Sequence, residues 1–301
     1  MHLDPSRLSL DRKNKALLPL AATFILLFAA WYILFRFSNW YLSIISFIVT
    51  GLMQYRLVVA CHEAVHKNLL FPIELNELSG LLLCSMVGIN YARYREQHFQ
   101  HHKAIVIKED PDKYIYLPML KTSPGISMIA VWIIGVPFEI IEKFKKKSIY
   151  IEKNTNIRYK ELIHSTAILI VNLIIFYIFN MFGAWWSWIV FWLLPLLTIA
   201  IFLNRTRVWV EHGYMHAIKG VKSESLHNQK METVDLVSNR LERFIIAPFA
   251  FNYHLSHHVK PSTPYYNNEV LSKILISQNK INDSMRLKIT YIEAVKKMIF
   301  V

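Results

Sequence analysis

The stretch LLPLAATFILLFAAWYILF, residues 17–35, carries no charged side chain. As a helix it is long enough to cross ~30 Å of hydrocarbon. Working outward from it, residues 40–60, 162–182 and 184–203 form three more candidate spans. The connections 36–39 and 183 are so short that the four read as two transmembrane hairpins. Composition agrees: 54% of the chain is apolar and 18% charged, against about 45–50% and ~25% in soluble domains. Polar residues 1–16 precede the first span, and apolar sequence runs on past Ala29 and Ala30, which argues against a cleaved signal peptide.

Two shorter apolar stretches, 79–89 and 126–141, read as re-entrant or interfacial, the second interrupted by Pro137. Charge supports this. With four spans, only Arg36 of the 34 basic residues falls in an external loop, and the run Lys143, Lys145, Lys146, Lys147 lies inside. The expectation is an all-α membrane protein, residues 1–301 forming one integral-membrane domain. Segments 61–161 and 204–301 should form a cytoplasmic helical cap, with both termini cytoplasmic.

Other classes fall away. Cys61 and Cys84 lie in apolar surroundings, which excludes a disulfide scaffold and a cysteine-based metal site. The eight glycines form no phosphate-binding loop. The net charge of +13 follows from positive cytoplasmic loops and the anionic lipid they meet, not from nucleic acid.

Ten of the 13 histidines stand in tight groups: His62 and His66; His98, His101 and His102; His212 and His216; His254, His257 and His258. Positions i, i+3 and i+4 share one face of a helix, so each group aims its imidazoles one way, as a metal site requires. The four-span topology puts every group on the cytoplasmic side. Without His216 nine ligands remain. A zinc site uses about four, so nine suit two metals of higher coordination number. Imidazole by itself does not distinguish Zn, Cu, Fe and Ni.

The segments HEAVHK, REQHFQHH with EDPD downstream, RVWVEHG and NYHLSHHVKPSTPYYN, in this order, resemble the membrane fatty acid desaturase family over roughly residues 20–275. The resemblance implies two iron ions held by His62, His66, His98, His101, His102, His212, His254, His257 and His258. It also implies dioxygen as oxidant, a fatty acyl substrate within membrane lipid, and a separate electron donor of the ferredoxin or cytochrome b5 type. The chain has no HPGG haem signature, so a fused cytochrome b5 domain is not expected. The superfamily also contains hydroxylases and ketolases acting on alkyl or carotenoid chains. NYHLSHH followed by Pro261 and Pro264 favours desaturation. A bacterial inner membrane is favoured over the endoplasmic reticulum.

Further residues carry two readings each. Glu63 makes an HExxH motif, that of intramembrane zinc proteases, but such a site leaves both HxxHH groups unexplained. Here Glu63 reads as a carboxylate orienting an imidazole or as a helix-end ion pair. Glu211 and Asn252 have the same two readings. His216 is a further metal ligand or a polar helix residue. Asp110 and Asp112 hold an imidazole or a basic side chain, or form a Pro-Asp turn or helix cap. Arg93 and Arg95 meet a head group or phosphate or, the favoured reading, are solvated positive charge on the inner side. His2, His164 and His227 are isolated and read as structural.

Overall fold

The structure, a computed structural model, describes Leu8 and residues 13–145, 155–220 and 225–300. The fold is mostly helical. Its larger helices are α1 (Leu17–Arg36), α2 (Trp40–Val65), α3 (Ile73–Met86), α4 (Tyr91–Lys103), α5 (Lys113–Leu120), α6 (Ile126–Lys145) and α7 (Thr155–Phe182). Helix α8 (Trp185–Ile218) follows, then α9 (Arg240–Ile245), α10 (His254–Val259), α11 (Asn268–Ser277) and α12 (Tyr291–Ile299). Four segments are long and apolar enough to cross a membrane: Leu17–Arg36, Trp40–Val65, Arg158–Phe182 and Trp185–Ile218. Helices α3, which holds most of residues 79–89, and α6, which holds residues 126–141, are not among them. Of the lysine run, Lys146 and Lys147 lie outside the described residues, as does His2.

The purely helical expectation misses one small feature. Strands β1 (Asp235–Leu236) and β2 (Arg286–Leu287) pair in parallel, Asp235 opposite Arg286. Two spans also run further than hydropathy indicates. Helix α2 continues from residue 60 to Val65, which takes His62 into the helix. Helix α8 continues from residue 203 to Ile218. Within its latter part Arg205 and Arg207 are buried, and each has a carboxylate: Arg205 Nη1 reaches Glu139 Oε2 at 3.3 Å and Arg207 Nη1 reaches Glu211 Oε2 at 2.6 Å. Local hydropathy counts these charges as breaks, but pairing lets the helix carry them inward.

By its internal contacts the chain forms two compact units. One comprises residues 13–96 and 147–201, hence α1, α2, α3, the start of α4, α7 and the first part of α8. Its core is Leu27, Trp31, Met53, Ile175, Phe179 and Trp192. Trp31 meets Phe179 and Trp192 edge-on, at ring centroid distances of 5.1 and 5.4 Å. Helix α8 has π-helical turns at Ile189–Leu193 and Leu196–Ala200. Gln54 Nε2 donates to the Trp192 carbonyl at 2.8 Å, giving a partner to a backbone group inside the first of these turns. Next to the second turn, a Cβ at Gly51 would come within 2.6 Å of Ile199 Cβ, so only glycine permits this approach of α2 to α8.

The end of α2 that carries the first histidine group is pinned within this unit. Tyr91 Oη and Asn76 Nδ2 both donate to the Ala64 carbonyl, each at 2.9 Å. Tyr91 fits over Gly80, where a Cβ would lie 2.4 Å from the ring. Arg95, expected to be solvated, makes a bidentate pair with Glu77 at 2.7 and 2.9 Å. Arg93 pairs with Glu161. His164 is structural, as expected: its Nδ1 accepts from the Ala92 N–H at 2.8 Å, near the start of α4. Cys61 and Cys84 are free thiols in the interior.

The other unit comprises residues 1–12, 97–146 and 202–301. Here α5 packs on α6, and Trp132 of α6 donates to Thr206 Oγ1 of α8 at 2.9 Å. Leu255, Leu271, Leu275 and Ile281 form a core beneath α10 and α11. Helix α12 has a full capping box between Thr290 and Glu293, and its Ile299 carbonyl accepts from Gly125 N at 2.8 Å, fixing the start of α6.

Gly51→Leu should therefore be among the most destabilising single changes in the first unit. Ile199 meets the new side chain through its own Cβ and cannot swing away. Overpacking of this kind costs about 1–3 kcal/mol. The expected result is a clear fall in melting midpoint in detergent, measured beside Ile45→Leu at an exposed position of the same helix, which should leave it nearly unchanged.

Candidate metal centre

The second and fourth histidine groups, with His212, lie in the unit that holds residues 97–146 and 202–301. Helical spacing does what the sequence implies. His98, His101 and His102 leave α4 on one side, and His254, His257 and His258 leave α10 together. Two sets of ligand atoms result. One contains His98, His102 and His257, and the other His101, His212, His254 and His258; within each set the atoms lie no more than 4.8 Å apart. His62 and His66 lie in the other unit, ring centroids 4.8 Å apart, at the pinned end of α2.

Several nitrogens face one another where hydrogen bonding alone fits poorly. His254 Nε2 lies 2.9 Å from His212 Nε2 and 3.0 Å from His258 Nε2. His98 and His102 also approach through Nε2, at 3.0 Å. A neutral imidazole has one donor and one acceptor nitrogen, so three Nε2 atoms around one point cannot satisfy each other fully. A cation at their centre accepts a lone pair from each. The donor set is all nitrogen, borderline in softness, which fits a first-row transition metal.

Each ring's other nitrogen decides where its lone pair points. His101 Nδ1 lies 2.7 Å from Asp110 Oδ1. A proton held on Nδ1 by that carboxylate leaves Nε2 as the ligating atom. Burial disfavours the charged imidazole of His101, but the Asp110 carboxylate outweighs it and raises the pKa. Burial likewise opposes ionised Asp110, and the charge of His101 outweighs it, holding the carboxyl at about 2. Asp110 Oδ2 accepts from Tyr116 Oη at 2.7 Å, and the Tyr116 ring stacks on His212 at 5.5 Å. Tyr116–Asp110–His101 is thus one buried chain. His254 and His258 are pushed well below the usual imidazole range by burial and then by neighbouring imidazoles, which keeps them neutral and able to ligate.

The remaining candidates separate by contact. Glu63 Oε1 lies 3.2 Å from His62 Nδ1, the orienting position. Glu211 lies beyond hydrogen-bond distance of His254, at 3.7 Å; it accepts instead from Arg207 and from Tyr291 Oη, each at 2.6 Å. Asn252 holds no imidazole: its Nδ2 donates to the Leu236 carbonyl at 2.9 Å. Asp112 accepts from Gln97 Nε2 at 2.6 Å, while Asp110 takes the imidazole and also forms the turn through Asp112 N–H. His216 is buried but belongs to neither imidazole set. His227 is half-buried, its Nε2 2.8 Å from Lys121 Nζ.

Residues 38–278 match the family model described as Fatty acid desaturase. The chain belongs to the fatty acid desaturase family. No curated protein matches it. Membership makes the chain an oxidoreductase of the desaturase and hydroxylase kind. With its four apolar helices, it is an integral membrane protein whose histidine clusters can bind metal. Tyr291 lies beyond the matched region, and it was not foreseen in the sequence because nothing local links position 291 to Glu211. Tyr116 stands only six residues beyond Asp110, but no motif marks it.

An apolar cleft of about 480 Å³ lies in this unit, walled by Pro118, Ala130, Ile134 and Phe138, with the Arg205–Glu139 pair beside it. Arg205 packs against Gly135, where a Cβ would lie 2.3 Å from Nη2.

Asp110→Asn keeps the size of the side chain and removes the charge that fixes His101. Loss of such a partner typically weakens metal binding about 10–100-fold. Competition with a chelator should show a loss of that order, with the protein still folded; unchanged affinity would contradict the orienting role.

Proposed function

We propose that the chain introduces a double bond into a fatty acyl chain, and that His62, His66, His98, His101, His102, His212, His254, His257 and His258 hold two iron ions for that purpose. The observation that carries this reading is the convergence of seven of these imidazoles, five of them buried, in one unit, together with the family. Nine nitrogen donors exceed what one ion takes, and a hydrolytic zinc site built on the HExxH motif would leave both HxxHH groups without a role.

The overall reaction balances as CH2–CH2 plus O2, two electrons and two protons giving CH=CH and two waters. The bound metal with dioxygen supplies the oxidant for an unactivated CH2, chemistry that no side chain provides. The protein's own part is positional. Burial keeps His254 and His258 neutral as donors. Asp110 and Glu63 fix the imidazoles they touch. The apolar cleft beside Ile134 and Phe138 offers walls suited to an acyl chain. We take the electrons to come from a ferredoxin or cytochrome b5 type of carrier. The positive charge of the hydrophilic segments supports a topology of two transmembrane hairpins, with both termini and the histidines cytoplasmic in a single functional domain. A bacterial inner membrane is the setting proposed.

Desaturation differs from hydroxylation in where the substrate carbon is held, and a displacement of about 1 Å can change such rates a hundredfold. Feeding deuterated fatty acids to expressing cells therefore tests the reading. The expected lipid product has lost two vicinal deuteriums and retains no oxygen. A hydroxyl or keto product from the same precursor would overturn it.

A further inference from the structure

Helix α10 carries three of the proposed ligands in only six residues. Helices shorter than ~12–15 residues are marginal alone, so the direction of α10 must be set from outside. Its own N-cap residue, Tyr253, makes no side-chain cap. The missing cap comes from Asp235, about twenty residues away in sequence and fully buried. Asp235 Oδ1 accepts from the Ser256 N–H at 3.0 Å, and Oδ2 accepts from Ser256 Oγ at 2.5 Å. The Ser256 N–H is the third of α10, which has no partner within the helix.

The carboxylate is itself well anchored. Ser272 Oγ of α11 donates to Oδ2 at 2.7 Å. The Asp235 backbone pairs with Arg286 in β2 and bridges Tyr253. The Leu236 N–H donates to the Asn252 carbonyl at 2.8 Å, and Asn252 returns a bond from Nδ2. Asn252, which orients no imidazole, thus belongs to the clamp that holds the entry to α10. A negative charge at this helix end is also favoured by the helix dipole.

We propose that Asp235 is a positioning residue, a cap supplied in trans that aims His254, His257 and His258 without touching them. The proposal rests on the reading that these histidines hold metal. Three variants of the full chain in detergent test it: Asp235→Ala, Asp235→Asn and Leu226→Ala. The last opens a cavity at a buried residue of the same unit that is not part of α10. Asparagine keeps an oxygen for the Ser256 N–H and offers an amide N–H to a serine oxygen, so it should rescue.

Two readouts separate positioning from stability. The first is Fe(II) affinity by chelator competition. Asp235→Ala should lose about tenfold or more, while Asp235→Asn stays close to the parent and Leu226→Ala melts earlier with affinity unchanged. The second is diethylpyrocarbonate labelling of the metal-free protein, mapped by mass spectrometry. His254, His257 and His258 are buried or nearly so in the parent, and their labelling should rise in Asp235→Ala only. Parent-like affinity and labelling in Asp235→Ala would overturn the proposal. A parent chain that binds no Fe(II) would overturn the metal reading instead, and labelling alone would then decide the role of Asp235.

Discussion

An imidazole buried in a protein can hold a metal only if one nitrogen is unprotonated and aimed at the ion while the other has somewhere to put its proton. This constraint, repeated for each ring, explains much of the molecule around the histidines. His101 meets it through Asp110, which Tyr116 steadies in turn. His62 meets it through Glu63. His254 and His258 meet the first half of it through burial among other imidazoles, which makes protonation unfavourable. In each case the charge or the desolvation acts on the ring before any metal arrives, so the site is organised in advance.

The same economy of charge governs the helices. Helix α8 carries Arg205, Arg207 and Glu211 in its buried part. Breaking one member of such a pair leaves an uncompensated charge, which is costly. Glu139 on α6 and Tyr291 on α12 supply the partners within the same unit. The helix that delivers His212 is therefore long because elements far away in sequence neutralise it.

That is also why legibility in the sequence was uneven. The apolar runs marked four spans, and i, i+3, i+4 spacing marked the histidines that converge, since both patterns are local. Where hydropathy ended α2 and α8 too early, the missing knowledge was long-range: Tyr91 and Asn76 on the Ala64 carbonyl, Glu139 on Arg205. The choice between Asp110 and Asp112 turned on a single turn, in which the first residue reaches back to His101 and the second faces Gln97. Arg93 and Arg95 read as solvated because Glu161 and Glu77 stand far off in the chain. Asp235 and Ser256 carry no motif at all; only the fold shows that one caps the other's helix.

The central claim is that nine histidines serve two iron ions. Elemental analysis of the purified protein, with Mössbauer spectra of ⁵⁷Fe-grown material, tests it most directly. The account predicts close to two irons per chain, lost together with activity in His257→Ala while membrane insertion persists. One zinc per chain with no iron, or full iron content in that variant, would contradict it.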